Sequence, residues 1–266
     1  MATAKPKRFR DTVRDGVVAV EVGPERVKHF VHKALLEEHS EYFQKALNGS
    51  WKEGEDKVVC LDDIDFGVFS DWLYTGKLPA MDEGWNEEEY RMDLDAKSNT
   101  QWHTATQVAM LKAYAFADRM LSPGLRKALE HEIIAYFVDD GGREVCYRAA
   151  IHAFAHLPSA SPVLQVMIDA HCQEFARKND TEEDGELQLH AQLPNAFLIG
   201  VMKRLAKLHL EMKIRLAKCS PCKYYGHTEQ LDKCDYHGHS TKKERRECRR
   251  NGFGDDSSDS DSSSGF

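Results

Sequence analysis

No stretch of this 266-residue chain stays apolar for the roughly 20 residues a membrane helix needs, which excludes a transmembrane helix. The basic N-terminus (Lys5, Lys7, Arg8, Arg10) is followed by no apolar segment of the kind a secretory signal carries. The chain is therefore expected inside the cell, in the nucleus, the cytoplasm or both. A Walker loop, a Rossmann glycine fingerprint and a Gly-x-Ser-x-Gly elbow are all missing. His131-Glu132 begins like a zincin helix motif, but Ala135 stands where the second histidine would be. No catalytic residue is assigned, and the chain is read as a non-enzyme. Positive charge is in short supply: the formal net charge of −8 argues against a general nucleic-acid coat or a binder of anionic membranes.

The strong local patterns are short. Residues 1–14 read as a flexible basic arm. Val17 to Val22 is a β-branched run between Gly16 and Gly23-Pro24, and Arg26 to Phe30 reads as its hairpin partner. Lys33 to Glu38 is a short helix. Ser40 caps a second one with Tyr42, Phe43, Ala46 and Leu47 on its face. Val58 to Leu61 is a further strand. Asp65 opens a helix in which Val68, Phe69, Trp72 and Leu73 recur at helical spacing, and Gly76 and Pro79 end it. Phe30, Leu35, Leu36 and Phe43 are spaced to fill a core. Residues 80–103 are acidic and aperiodic, and read as an exposed insertion.

Beyond the insertion the pattern is helical. Met110, Tyr114, Ala117 and Leu121 form one face, and Ser122 reads as the cap and Pro123 as the first-turn proline of a helix burying Leu125, Leu129, Ile133 and Phe137. Val145 to Phe154 continues the series, followed by a helix from Pro162 carrying Leu164, Met167, Ile168, His171 and Phe175. The longest signal, Pro194 to Lys218, places Leu198, Val201, Met202, Leu205, Leu208, Met212 and Leu216 at three- and four-residue spacing. It is expected to pack on the preceding helices, with a coiled-coil surface as the alternative.

Seven cysteines are present. Cys60, Cys146 and Cys172 read as small buried thiols. The others lie in a Cys/His-rich tail: Cys219-Ser-Pro-Cys222, His227, Cys234, His237, His239 and Cys248. Paired thiolates from one turn and two ligands from a second turn suit the tetrahedral preference of zinc. The expected set for one structural zinc is Cys219, Cys222, Cys234 and one of His237 or His239, with Cys248 and His227 in reserve. The segment has too few apolar residues to fold alone, and structural zinc, which contributes on the order of 10 kcal/mol to folding, could supply the deficit. A disordered tail with free thiols and a redox dithiol are the competing readings. The run Lys242, Lys243, Arg245, Arg246 reads as an import signal, a phosphate-contacting patch or a solvated charge run. Residues 251–266, rich in Ser and Asp, are expected to be disordered.

Several of these segments, taken in order, resemble the BTB/POZ family: Val20-Glu-Val-Gly23, Phe30-Val-His-Lys33-Ala-Leu-Leu36, Ser40-Glu-Tyr-Phe43, Trp51-Lys-Glu53, Val59-Cys-Leu61 and Phe69-Ser-Asp-Trp-Leu-Tyr-Thr-Gly76. The style of the chain looks like the members abundant in filamentous fungi. The resemblance implies an α+β fold of short strands with a helical cluster over 15–137, interrupted by the insertion 80–103. An all-α extension (138–218) and the Cys/His-rich element (219–250) follow. It also implies a protein-interaction module, commonly a homodimer. Many such modules recruit a cullin scaffold for ubiquitin ligation of a client, with an apolar-x-Glu motif where Trp51 and Glu53 stand. The alternative is a nuclear regulator whose zinc and basic element touches nucleic acid.

Overall fold

The computed structural model describes residues 15–48, 58–61, 66–80, 85, 99–139, 143–175, 187–218, 233–239 and 241–251. Strands β1 (Val17–Val22), β2 (Val27–His32) and β3 (Val58–Leu61) form one sheet in the order β2-β1-β3. β1 runs antiparallel to β2, pairing Ala19 with Phe30, and parallel to β3, pairing Val20 with Val59. The hairpin turns where Gly23 and Arg26 take positive φ, and the Gly23 N–H donates to the Leu61 carbonyl at 2.8 Å. Alternation decides the faces: Val18, Val20 and Val22 point inward and are buried with Val31, Val59 and Leu61.

The parallel step from β1 to β3 is spanned by α1 (Lys33–His39) and α2 (Glu41–Asn48). Ser40 joins them. Its hydroxyl accepts from the Phe43 N–H at 3.2 Å and donates to the carbonyl of Met120, tying the junction to a turn far along the chain. α3 (Phe66–Thr75) then lays Phe66 and Phe69 against Phe43, with Phe43 and Phe69 stacked at 5.9 Å. The helix stops at Gly76, whose φ of +66° is costly for a residue with a Cβ.

α4 (Asn99–Arg119) brings Phe116 into this aromatic group, and α5 (Pro123–Val138), α6 (Tyr147–His156) and α7 (Pro162–Glu174) pack on from there. One continuous hydrophobic core therefore runs from the sheet through the helical extension. α8 (Asn195–Lys218) and α9 (Lys242–Asn251) complete the described helices. None of the described helices is long and apolar enough to cross a membrane.

Several expectations need correction. Phe30 is 66% exposed: its pairing with Ala19 puts it on the outer face of the sheet, away from Leu36 and Phe43, which are buried. Leu121 leaves α4's buried face, because the chain turns there with a φ of +50°. Ser122 precedes α5, with Pro123 in its first turn, but its side chain makes no cap hydrogen bond. Within the stretch 80–103, Trp85 is buried at 1% exposure and α4 already begins at Asn99. Cys60 is exposed, on the outer face opposite Glu21, while Cys146 and Cys172 are half-buried. Phe175 lies past the end of α7 and is exposed.

α8 departs most. Leu198, Met202, Leu205 and Met212 are exposed. The helix docks through half-buried Val201 of the expected stripe, together with buried Phe197 and Gly200, where a Cβ would stand 2.4 Å from the Ile168 side chain. An Arg204–Asp169 ion pair at 2.8 Å completes this inner face. Asp65 lies outside the described residues.

The helical extension contains a pH-sensitive group. On α6, burial first, and then the charges of His156, Lys112 and Arg119, lower the His152 imidazole to about 4. Its Nε2 has no hydrogen-bond partner among the described residues. The unfolded chain, titrating near 6.5, takes up this proton before the folded one does. The stability contribution is therefore complete above that value and is lost as pH falls towards 4. Discounted for partial exposure, the loss is ~1–2 kcal/mol. The urea midpoint of His152→Gln is expected to fall less than that of the parent between neutral pH and about pH 5. Parallel curves for the two proteins would refute this assignment.

Candidate metal centre and partner-binding site

The clearest gathering of chemically competent side chains lies near the C-terminus. A 3-10 turn (Lys233–Asp235) and the bend after it present Cys234, His237 and His239, and α9 presents Cys248. Thr241 starts α9 as an N-cap, its Oγ1 accepting from the Glu244 N–H at 3.1 Å. An Arg245–Asp235 ion pair returns the helix to the turn. One ligand atom from each of Cys234, His237, His239 and Cys248 lies within 4.8 Å of the others. His237 Nε2 lies 3.2 Å from Cys248 Sγ. Tetrahedral zinc, with bonds of about 2.0–2.3 Å, needs donor separations of roughly 3.3–3.8 Å, so a small contraction completes a Cys2His2 site. Cys234 and His237 are buried, and neither ring nitrogen of His239 has a hydrogen-bond partner among the described residues. The cluster can hold a metal ion.

The centre rests on α5 and α7. The His237 ring lies 4.1 Å from that of His131 on α5. Burial, and then the Lys127 charge, lowers the His131 imidazole. Lys127 on the same helix pairs with Glu244 of α9 at 3.6 Å. The Tyr236 hydroxyl donates to Asp169 Oδ2 at 3.1 Å, and burial, reinforced by that carboxylate, raises the phenol. Asp169 also holds Arg204 of α8, so it joins α7, α8 and the C-terminal turn. Close to this junction, burial and then Asp169 push the Cys172 thiol up to about 11, which keeps it protonated and unreactive.

Of the expected ligands, Cys234, His237 and His239 come together, and both histidines belong to the set. Cys219, Cys222 and the reserve His227 lie outside the described residues. Cys248, held in reserve, lies at the centre. Its signal was its place on a highly charged helix, where it can face the turn together with the Arg245 anchor. His131 carried no local signal for this contact, because α5 is remote in sequence. Of the basic run, Lys242, Lys243 and Arg246 are exposed, whereas Arg245 is engaged by Asp235.

The expected partner-binding residues Trp51 and Glu53 lie outside the described residues. Asn48, the last residue of α2, donates to Glu37 Oε1 at 2.9 Å and accepts from Lys33 Nζ at 3.2 Å. With the Lys33–Glu37 pair at 3.3 Å, this triad pins the end of α2 to α1. Tyr74 of the Leu-Tyr-Thr-Gly segment meets His32: its hydroxyl accepts from the His32 backbone N–H at 3.1 Å and lies 2.9 Å from Nδ1. A histidine held in this way is a structural joint between β2 and α3.

The BTB/POZ domain family model matches residues 8–95. No curated protein matches the chain. The matched region holds the three-stranded sheet, α1 to α3 and the His32–Tyr74 joint. Residues 8–95, the N-terminal third of the chain, thus match the BTB/POZ domain, and a domain of this family implies a protein-protein interaction module.

Proposed function

We propose that the chain is a non-enzymatic BTB adaptor that self-associates, binds a cullin scaffold through Trp51 and Glu53, and presents a client to a ubiquitin ligase. The observation that carries this reading is the BTB/POZ domain over residues 8–95. Trp is a favoured interface anchor, and a neighbouring carboxylate adds polar specificity. Client recruitment falls to the helical extension or the C-terminal element. Exposed Phe30 and Val17, neighbours on the outer face of the sheet, suit association with a second copy. Affinity capture of the intact protein is expected to recover a cullin with its RING subunit. Trp51→Ala with Glu53→Ala is expected to reduce that recovery at least tenfold, which corresponds to ~1.4 kcal/mol or more. Equal recovery by the double variant would sink the motif assignment.

The same chain, in this reading, carries one structural zinc on its Cys/His cluster. The donor set supports this: two thiolates and two imidazoles are the ligands of closed zinc sites. A second reading is favoured by one observation, the solvent-facing Lys242, Lys243 and Arg246 on α9. There the C-terminal element contacts nucleic acid in the nucleus, with the basic run also serving import. Capture of chromatin proteins without a cullin would select it. So would nucleic-acid binding that weakens steeply with salt.

A further inference from the structure

We propose that the zinc held by Cys234, His237, His239 and Cys248 acts as a clasp: metal occupancy decides whether residues 233–251, with the basic helix α9, are docked on α5 and α7 or released from them. This rests on the zinc reading above and adds to it what the ion does.

The ligands span two pieces of chain. Cys234, His237 and His239 come from the turn, and Cys248 comes from α9. An ion shared among them converts the turn and the helix into one body. Apolar burial alone does little to hold this body together. Among its described side chains only Cys234 and His237 are buried, with Tyr236 half-buried against the core. α9 itself consists almost wholly of charged residues. Ordering such a segment costs conformational entropy at every residue, and metal ligation is the source of free energy available within it.

The contacts that dock this body are few, and each needs it to be already formed. His237 faces His131 at 4.1 Å, Tyr236 donates to Asp169 at 3.1 Å, and Lys127 reaches Glu244 at 3.6 Å. These residues are spread over the turn and α9, so all three contacts align only when the centre is closed. Lys127 and Glu244 are largely solvent-exposed, and such a pair holds little by itself. His131 is a positioning residue here. Its ring covers His237 and orients a ligand, as outer-shell partners of metal sites do. His131, the histidine of the incomplete zincin-like pair, thus meets the metal centre from another element. Docked, α9 is held to α5 through Glu244 and Lys127; released, this pair opens.

The test uses the full-length protein and zero-length carbodiimide cross-linking of Lys127 to Glu244, read by mass spectrometry, with zinc content measured in parallel. Expected are about one zinc per chain and a Lys127–Glu244 cross-link that falls at least tenfold after treatment with a zinc chelator and returns when zinc is restored. Cys248→Ser is expected to lose both zinc and cross-link while keeping the helical circular dichroism of the remaining chain. His131→Ala is expected to keep its zinc and lose most of the cross-link, which a purely local metal knuckle would not do. One zinc per chain with a cross-link indifferent to chelation would overturn the clasp and leave the zinc reading standing. Absence of zinc from protein purified without chelator would overturn both.

Discussion

Phe116→Ala is expected to destabilise the whole chain by ~3–5 kcal/mol, the range for truncating a fully buried aromatic. Phe116 is fully buried on α4, with its ring 5.9 Å from Phe69 and 6.4 Å from Phe66. Phe69 in turn stacks on Phe43. The substitution opens a cavity where the BTB/POZ domain meets the helices that follow it. A residue at such a seam couples the two sides. Urea unfolding followed by circular dichroism is expected to stay a single transition with a lower midpoint, because the core is continuous. Two separated transitions in the parent protein, or a loss below ~1 kcal/mol in the variant, would show that the domain and the extension fold independently.

Asp169→Ala is expected to cost ~3 kcal/mol, because breaking a buried ion pair strands the partner charge. Its partner, the Arg204 side chain, is only 16% exposed. The variant also removes the acceptor of the Tyr236 hydroxyl, so it loosens the C-terminal turn as well as α8. Replacing both charges tests the cause. Asp169→Leu combined with Arg204→Met is expected to recover most of the loss, since a buried pair can be exchanged for apolar residues at little cost. If the double variant is as unstable as Asp169→Ala, the defect is one of packing and the stranded guanidinium is not its source.

Local pattern carried much of the fold. Val18, Val20 and Val22 alternate, and a strand buries alternate residues. Leu125, Leu129, Ile133 and Phe137 recur every four residues, and all four are buried on α5. Ser40 and Gly76 mark their helix ends because capping and positive φ are properties of one or two residues. The ordered motifs from Val20 to Gly76 likewise pointed to the BTB/POZ domain that the family match establishes.

The same pattern was silent about which apolar face is covered. α8 carries an apolar stripe, yet Met202 is 69% exposed while Phe197, outside that stripe, is buried. Periodicity reports that a face exists; only a neighbour of the right shape buries it, and Ile168 closes on Gly200 from another side of the helix. Trp85 shows the converse, a core residue in a segment with no period at all.

By itself, the sequence determined the strands, most of the helix faces, the domain family and the presence of residues able to ligate a metal near the C-terminus. Those follow from interactions between residues a few positions apart. Tertiary structure alone decided that Cys248 joins Cys234, His237 and His239, that His131 meets His237, and that Asp169 ties three segments together. His131 and Asp169 are distant along the chain from the C-terminal turn, and their meeting with it depends on how whole helices pack, which no local spacing encodes; Cys248 is closer in sequence, but which of the nearby Cys and His residues converge is set by how α9 folds back on the turn.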